Sequence, residues 1–293
     1  MTDGGSLSWF LSVHVLRDLD NGILSLDQET SIQRLLEDYN MTDCNAAATP
    51  AEPTVLQVGV DPLSEEESAF MADKPYRAVV GSLLYFLFTR PDIAYAVGQL
   101  SRFLSRPNRA CWVAAMRVLR YLKGTASLKL TYEREEEKLH IIGFADADFA
   151  GDKSTRRSTS GFIFRACGGA ITFKSKLQKA VTLSTCEAEL VAFSAATQEA
   201  IWIKRVFASL GVARTEPIGI LEDNAAAIAL VRDHRFSERT KHVDIKKFFI
   251  HEHVEDGSVN PIGTPSTDNV ADIFTKPLGR VLFEKHRHSL GLR

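Results

Sequence analysis

Asp146 follows the apolar run Leu139-His140-Ile141-Ile142-Gly143-Phe144-Ala145, which predicts a buried strand, and it opens Asp146-Ala147-Asp148-Phe149-Ala150-Gly151-Asp152. Carboxylates crowded into so short a strand-to-loop stretch repel one another unless cations neutralise them. Further along, Glu187-Ala188-Glu189 falls in a helical pattern, Asp223 follows the short strand Ile218-Gly219-Ile220-Leu221, and Asp272 lies near the C-terminus. Acids at the edges of separate predicted elements point to one shared site for hard metal ions, which take oxygen ligands. The matching chemistry is phosphodiester hydrolysis with two divalent ions. Each acid also has a plainer reading. A strand-end Asp is a common turn former, and acids at a helix start cap it or complement its dipole. The set taken together, rather than any member, favours the site.

The elements that must position these acids follow from periodicity. Residues 9–16 alternate like a strand, Asp20-Asn21-Gly22 is a hairpin turn, and residues 23–26 return. Ile32, Leu35 and Leu36 predict a helix over 28–39. Residues 44–67, rich in Ala, Thr, Pro and acid, predict an extended linker. Helices are predicted over 76–88, 93–104 and 110–122, separated at Arg90-Pro91-Asp92 and Arg106-Pro107-Asn108, with Gly124 as a C-cap. From Leu128 the pattern changes to strands: 128–132, 139–145, 161–166 and 170–174, the last two joined at Gly168-Gly169. A helix over 184–210, a strand over 218–221, and helices over 224–231, 243–254 and 267–274 complete an α/β layered domain.

With 293 residues the chain has room for one large domain or two ordinary ones. A net charge of −2 gives no global sign of a nucleic-acid partner, so local charge has to supply it. Cys44, Cys111, Cys167 and Cys186 form no Cys-x-x-Cys pair, which argues against a zinc ribbon or a disulfide framework and fits a reducing compartment. The first residues lack the basic and apolar blocks of a secretory signal, and no apolar run reaches the ~18 residues of a membrane helix. The expectation is a cytoplasmic or nuclear protein with no membrane partner.

Five stretches now carry a resemblance. Asp146 to Lys153 with Arg156-Arg157-Ser158-Thr159-Ser160-Gly161 resembles the start of the ribonuclease H domain of copia-type retrotransposon Pol polyproteins. Ser184-Thr185-Cys186-Glu187-Ala188-Glu189-Leu190, Glu222-Asp223-Asn224 with Ala227-Ile228, Arg239-Thr240-Lys241-His242-Val243-Asp244-Ile245 and Ala271-Asp272-Ile273-Phe274-Thr275-Lys276-Pro277-Leu278 are similar to its later motifs, in order. Upstream, Gly81-Ser82-Leu83-Leu84-Tyr85, Thr89-Arg90-Pro91-Asp92 and Leu119-Arg120-Tyr121-Leu122-Lys123-Gly124-Thr125 resemble the end of the same family's reverse transcriptase. The family's Tyr-x-Asp-Asp polymerase motif has no counterpart, since the sequence contains no Asp-Asp pair, so polymerisation is not expected. Phe173, Cys186, Leu190 and Gly263-Thr264-Pro265-Ser266 depart from the family pattern at packing or strand positions.

The resemblance implies an α/β, ribonuclease H-like mixed sheet with flanking helices over 127–293. It implies a smaller, mostly helical remnant of a reverse transcriptase thumb or connection, with an N-terminal hairpin, over 1–126 and a linker at about 44–70. It assigns Asp146, Glu189, Asp223 and Asp272 as catalytic and metal-binding, Asp146 bridging both ions, with Asp148 and Asp152 as its runners-up. Glu187 is read as a capping acid and Glu222 as exposed. Two Mg²⁺ ions are implied, with Mn²⁺ as the substitute, because oxygen-only ligands disfavour zinc. The partner implied is an RNA–DNA hybrid, alongside other parts of the retroelement polyprotein. Arg156, Arg157, Ser158, Lys174, Lys176, Asn224, Arg239, Lys241 and His242 are its candidate contacts. Lys179, Arg232, Arg235, Lys246 and Lys247, interleaved with Phe236, Phe248 and Phe249, extend the basic set. A catalytically silent remnant and another nuclease of the same superfold are the competing readings.

Overall fold

The computed structural model describes residues 5–53, 63–135, 139–212, 216–232 and 241–293, without the side chains of 241–244. The chain folds as two units, Met1–Lys138 with Cys167–Gly169 and Pro277–Arg293, and Leu139–Ala166 with Ala170–Lys276.

The first unit opens with β1 (Trp9–Phe10), β2 (Val13–Asp18) and β3 (Ile23–Asp27). Residues 9–16 are therefore two strands and not one. Leu11 and Ser12 turn the chain with φ of 47° and 58°. Paired positive φ values suit a tight hairpin, but without Gly or Asn at the turn the sequence concealed it. The Asp20-Asn21-Gly22 turn forms as expected, with Asp18 accepting from Asn21 and Gly22 at φ 66°. Helices α1 (Glu29–Asp38), α2 (Glu65–Met71), α3 (Tyr76–Phe86), α4 (Ala94–Ser101) and α5 (Arg109–Gly124) follow. Helix α2 begins inside the stretch read as linker: Ser64 accepts from Glu67 N, and Glu65 to Glu67 fill the dipole-favoured first turn. Gly124 is the last helical residue and Thr125 the C-cap. A Cβ at Gly124 would lie 2.9 Å from Ala46 Cβ, so close approach explains this glycine and not a left-handed cap.

Strand β4 (Leu130–Glu133) pairs antiparallel with β3, Leu26 opposite Leu130. This pairing moves the division from the expected 126/127 to 138/139. Leu130 also bridges Leu292, so the last residues return to the first unit.

The second unit is built on β5 (Ile142–Asp148), β6 (Thr159–Ala166) and β7 (Gly169–Leu177). Then come α6 (Thr185–Ser209), β8 (Ile218–Glu222), α7 (Ala225–Arg232), α8 (Lys241–Glu255) and β9 (Val259–Gly263). The strand order is β7-β6-β5-β8-β9, with β5 antiparallel to β6 and parallel to β8, and β8 parallel to β9. This mixed sheet with flanking helices is the ribonuclease H-like architecture. Strand β9 carries Pro261, which a pattern reading rejects, yet an edge strand tolerates a residue without an N–H. Phe162, Phe164, Ala145, Ile218 and Ile220 from the sheet meet Leu190, Phe193, Ala196, Ala200 and Ile203 from α6 in one core. The expected helix over 267–274 is two short 3₁₀ turns, Ser266–Asp268 and Val270–Phe274. Helix α9 (Arg280–Ser289), which periodicity did not predict, buries Phe283 and His286 in the first unit.

Candidate metal-binding active site

Asp146 does not end its strand. Strand β5 continues to Asp148, and Asp146 pairs with Gly161 of β6 near the middle of the sheet. Its residue is 2% exposed. Glu189 sits in the second turn of α6. Ala147, Ala188 and Ala192 form a small-residue contact between helix and strand, which lets the Glu189 side chain reach the Asp146 face. Asp223 follows the last residue of β8, the neighbour of β5. One carboxylate oxygen from each of Asp146, Glu189 and Asp223 lies within 4.8 Å of the other two. Three elements remote in sequence thus meet at one point.

Asp272 approaches Asp146 from the 3₁₀ turn Val270–Phe274. Asn269, fully buried, donates from Nδ2 to Ala145 O at 2.8 Å and accepts from Ala271 N at 3.1 Å, tying that turn to β5. Ser175 Oγ donates to Phe274 O at 2.6 Å, and Phe173 stacks on Phe274 at 5.5 Å. Gly161 makes the approach possible: a Cβ there would lie 2.7 Å from Thr275 Cγ2 and 2.9 Å from Phe274 Cβ. Thr275 Oγ1 donates to Asp146 Oδ2. Lys276 Nζ lies 2.7 Å from Asp272 Oδ1 and 3.7 Å from Asp146 Oδ2.

Burial and mutual repulsion set the protonation of this cluster. Glu189 is held well above the ordinary carboxyl range, first by burial and then by Glu222, Asp146 and Asp223. Glu222 is raised as well, first by burial, against the Asn224 N–H that favours its charge. Asp148 is pushed up to about 6 by burial, with Asp146 adding to it and the Thr159 N–H opposing. Asp272 is pushed up to about 7 by burial first and Asp146 second, against Lys276. Carboxyls with raised folded-state pKa values bind protons that the unfolded chain has already released. Their contribution to stability is complete below the ordinary value of 3.8 and is lost as pH rises through about 6 and about 7. In EDTA the melting temperature of the protein is therefore expected to fall between about pH 4 and pH 8. Divalent ions should flatten that slope by replacing the protons. A melting temperature that climbs with pH in EDTA contradicts this electrostatic picture.

Comparison with known proteins gives the geometry a family. The chain is 39% identical over 294 residues to the Retrovirus-related Pol polyprotein from transposon TNT 1-94 of Nicotiana tabacum, covering 100% of this chain and 22% of that protein. It is 35% identical to the Pol polyprotein from transposon RE1 of Arabidopsis thaliana, covering 99% of this chain and 19% of that one. The chain belongs to the copia-type retrotransposon Pol family. It spans about a fifth of the length of these relatives. No family model matches. Among solved structures it is similar to RNase H1 from Halobacterium salinarum NRC-1, at 14% identity and a TM-score of 0.35, covering 46% of this chain and 94% of that one.

The remaining residues singled out in this Pol chain fall into place unevenly. Glu187 caps α6: its Oε2 accepts from Leu183 N at 2.7 Å while Ser184 Oγ accepts from Glu187 N at 3.1 Å. Asp148 accepts from Thr159 N at 2.6 Å, and Asp152 Oδ1 accepts from Ser154 and Thr155, so both shape the loop that follows Asp146. Glu222, expected at the surface, is fully buried beside the cluster, because β8 continues one residue further than its apolar run. Ser158 is fully buried and bonded to Thr182 Oγ1 and Ala150 N, which removes it as a phosphate contact. Arg156 is exposed and Arg157 half-buried. Lys174 and Lys176 are exposed on one face of β7, and Lys179 is exposed beyond it. Asn224 Oδ1 is engaged as the cap of α7, accepting from Ala226 and Ala227 N. Lys247 is buried and does not belong to an open basic face; Arg232 is exposed and donates to Pro261 O at 2.6 Å, and Lys246 is half-buried. Arg235, Phe236 and Arg239 lie outside the described residues, as do the side chains of Lys241 and His242. Pattern reading missed the positioning roles of Asn269, Thr275 and Lys276, although Lys276 stands four residues after Asp272 and that spacing was a usable signal.

Proposed function

We propose that this chain is a divalent-metal-dependent endonuclease that cleaves the RNA strand of RNA–DNA hybrids as part of a retroelement Pol polyprotein. The observation that carries the reading is the meeting of Asp146, Glu189 and Asp223 within 4.8 Å. The residues fit a hard divalent ion. Among the described residues nothing hydrogen-bonds the buried Glu189 Oε2, and burying a carboxylate without a partner is costly. Asp146, Glu189 and Asp223 would hold the ion, with Asp272 on the further side of Asp146. All-oxygen donors favour Mg²⁺ or Mn²⁺. When bound, such ions activate a water and stabilise the leaving oxygen of an in-line displacement.

The protein's own groups prepare that site. Thr275 orients the Asp146 carboxylate through its hydroxyl. Asn269 and Gly161 fix the turn that carries Asp272 against β5. Lys174 and Lys176, on the exposed face of β7, and Arg156 supply positive charge for a nucleic-acid backbone. Choice of the RNA strand would come from 2′-hydroxyl contacts. A hybrid labelled on either strand tests the reading. The RNA strand should be cut in Mg²⁺ and left intact in EDTA, with duplex DNA intact in both. Hybrid that is bound but never cut would instead make the chain a silent binding module, and cut duplex DNA would point to another nuclease of the same superfold.

A further inference from the structure

Lys276 follows the turn that carries Asp272 and precedes Pro277. Its ammonium stands 2.7 Å from Asp272 Oδ1 and 3.7 Å from Asp146 Oδ2. The two carboxylates are nearly buried, with side chains 6% and 3% exposed, while the Lys276 side chain is 40% exposed. Asp272 is not part of the three-carboxylate cradle, whose oxygens lie within 4.8 Å. The four acids therefore divide into a cradle open to an ion and a position whose charge is paired with the chain's own cation. An ammonium and a hard divalent ion compete for the same carboxylate oxygens, and like charges at this spacing exclude each other.

We infer that Lys276 is a built-in competitor for divalent ions: it neutralises the Asp146–Asp272 side of the site and must swing out before an ion can bind there. The exposed side chain gives it a route to solvent, and the i, i+4 ion pair with Asp272 gives it a resting place. This inference rests on the metal-dependent reading above. It predicts that the protein loads its first ion in the cradle and resists a second.

Mn²⁺ titration of the metal-free protein, followed by calorimetry and by the loss of the free-ion paramagnetic signal, tests it without any turnover. Lys276→Met and Lys276→Gln should each bind a second Mn²⁺ at least about tenfold more tightly than the natural protein, a shift of about 1.4 kcal/mol. Lys276→Arg, which keeps the charge, should stay near the natural affinity. Equal affinity in the natural protein and both neutral variants overturns this inference and leaves the metal-dependent reading intact. Mn²⁺ binding absent from the natural protein and all variants overturns that reading, and this inference with it. The two neutral substitutions differ in shape, so a gain seen in both assigns the effect to the lost charge.

Discussion

Asp146→Asn is expected to abolish hybrid cleavage while making the metal-free protein more stable. Asp146 is the carboxylate on which the site converges: it shares the 4.8 Å cradle with Glu189 and Asp223, takes the Thr275 hydroxyl and lies 3.7 Å from Lys276. Losing an outer-shell partner of a metal ligand commonly costs about 10–100-fold, so loss of the central ligand should exceed about 10³-fold in rate. In the metal-free state the same carboxylate works against the fold, because it adds to the raised pKa values of Glu189, Glu222, Asp148 and Asp272. Asparagine keeps the size and can still accept from Thr275, but it removes one negative charge from the crowd. The melting temperature in EDTA should therefore rise, and the gain from added Mg²⁺ should shrink. Lost activity together with lost stability would mean that the variant had simply misfolded, and cleavage retained within about tenfold would remove Asp146 from the centre of the mechanism. Opposite signs for activity and stability are characteristic of a site whose like charges are kept together for function.

How much of such a site is legible in the sequence depends on the kind of interaction. Apolar patterns fix strands β5 and β8 and helix α6 through periods of 2 and 3.6 residues, and the family resemblance singles out Asp146, Glu189 and Asp223 among the neighbouring acids. Glu187 could be assigned to capping for the same local reason, since Ser184 precedes it by three residues. Interactions that join remote segments left no local trace. The glycine at 161 reads as a strand residue of little interest until Thr275 and Phe274 are found against it. Glu222 reads as a surface acid because a charged residue after an apolar run usually leaves the core, but here β8 continues through it and its side chain is buried beside Asp146 and Asp223. The first unit was harder still. Its sheet is completed by β4 and its last helix comes from the far end of the chain, so no continuous segment marks its boundary. Ser158 failed differently: hydroxyl-rich loops beside arginine suggest phosphate binding, but its hydroxyl closes the loop internally with Thr182 and Ala150.

The Arg90-Pro91-Asp92 sequence illustrates the same limit in the first unit, and Asp92→Ala is expected to have the largest effect on its stability. A break between helices is all that the three residues announce, and Pro91 does start the 3₁₀ turn Pro91–Ile93. What they build is a buried ion pair. Arg90 Nε donates to Asp92 Oδ1 at 3.0 Å and Nη2 to Oδ2 at 2.8 Å, with both side chains no more than 1% exposed. The fork is completed by Arg90 Nη1 to Thr125 O at 2.9 Å and Nη2 to Thr125 Oγ1 at 2.8 Å, and Tyr121 donates its hydroxyl to Asp92. One network thus ties the end of α3 to the end of α5. Removing Asp92 leaves a guanidinium that cannot shed its proton and cannot reach water, a loss of about 3–5 kcal/mol. Against a usual total of about 5–15 kcal/mol, that is enough to unfold much of the first unit. Urea unfolding followed by Trp9 and Trp112 fluorescence, in a Trp202→Phe background, should show the midpoint falling by about 2 M at an m-value of roughly 2 kcal/mol/M. The double change Arg90→Met with Asp92→Leu should recover most of the loss, because an apolar pair of similar volume replaces a charge pair that barely offsets its own desolvation. If Asp92→Ala leaves the midpoint unchanged, Arg90 is not held by Asp92. If the double change is as damaging as the single one, the network matters through its hydrogen bonds to Thr125 and Tyr121 and not through the balance of charge.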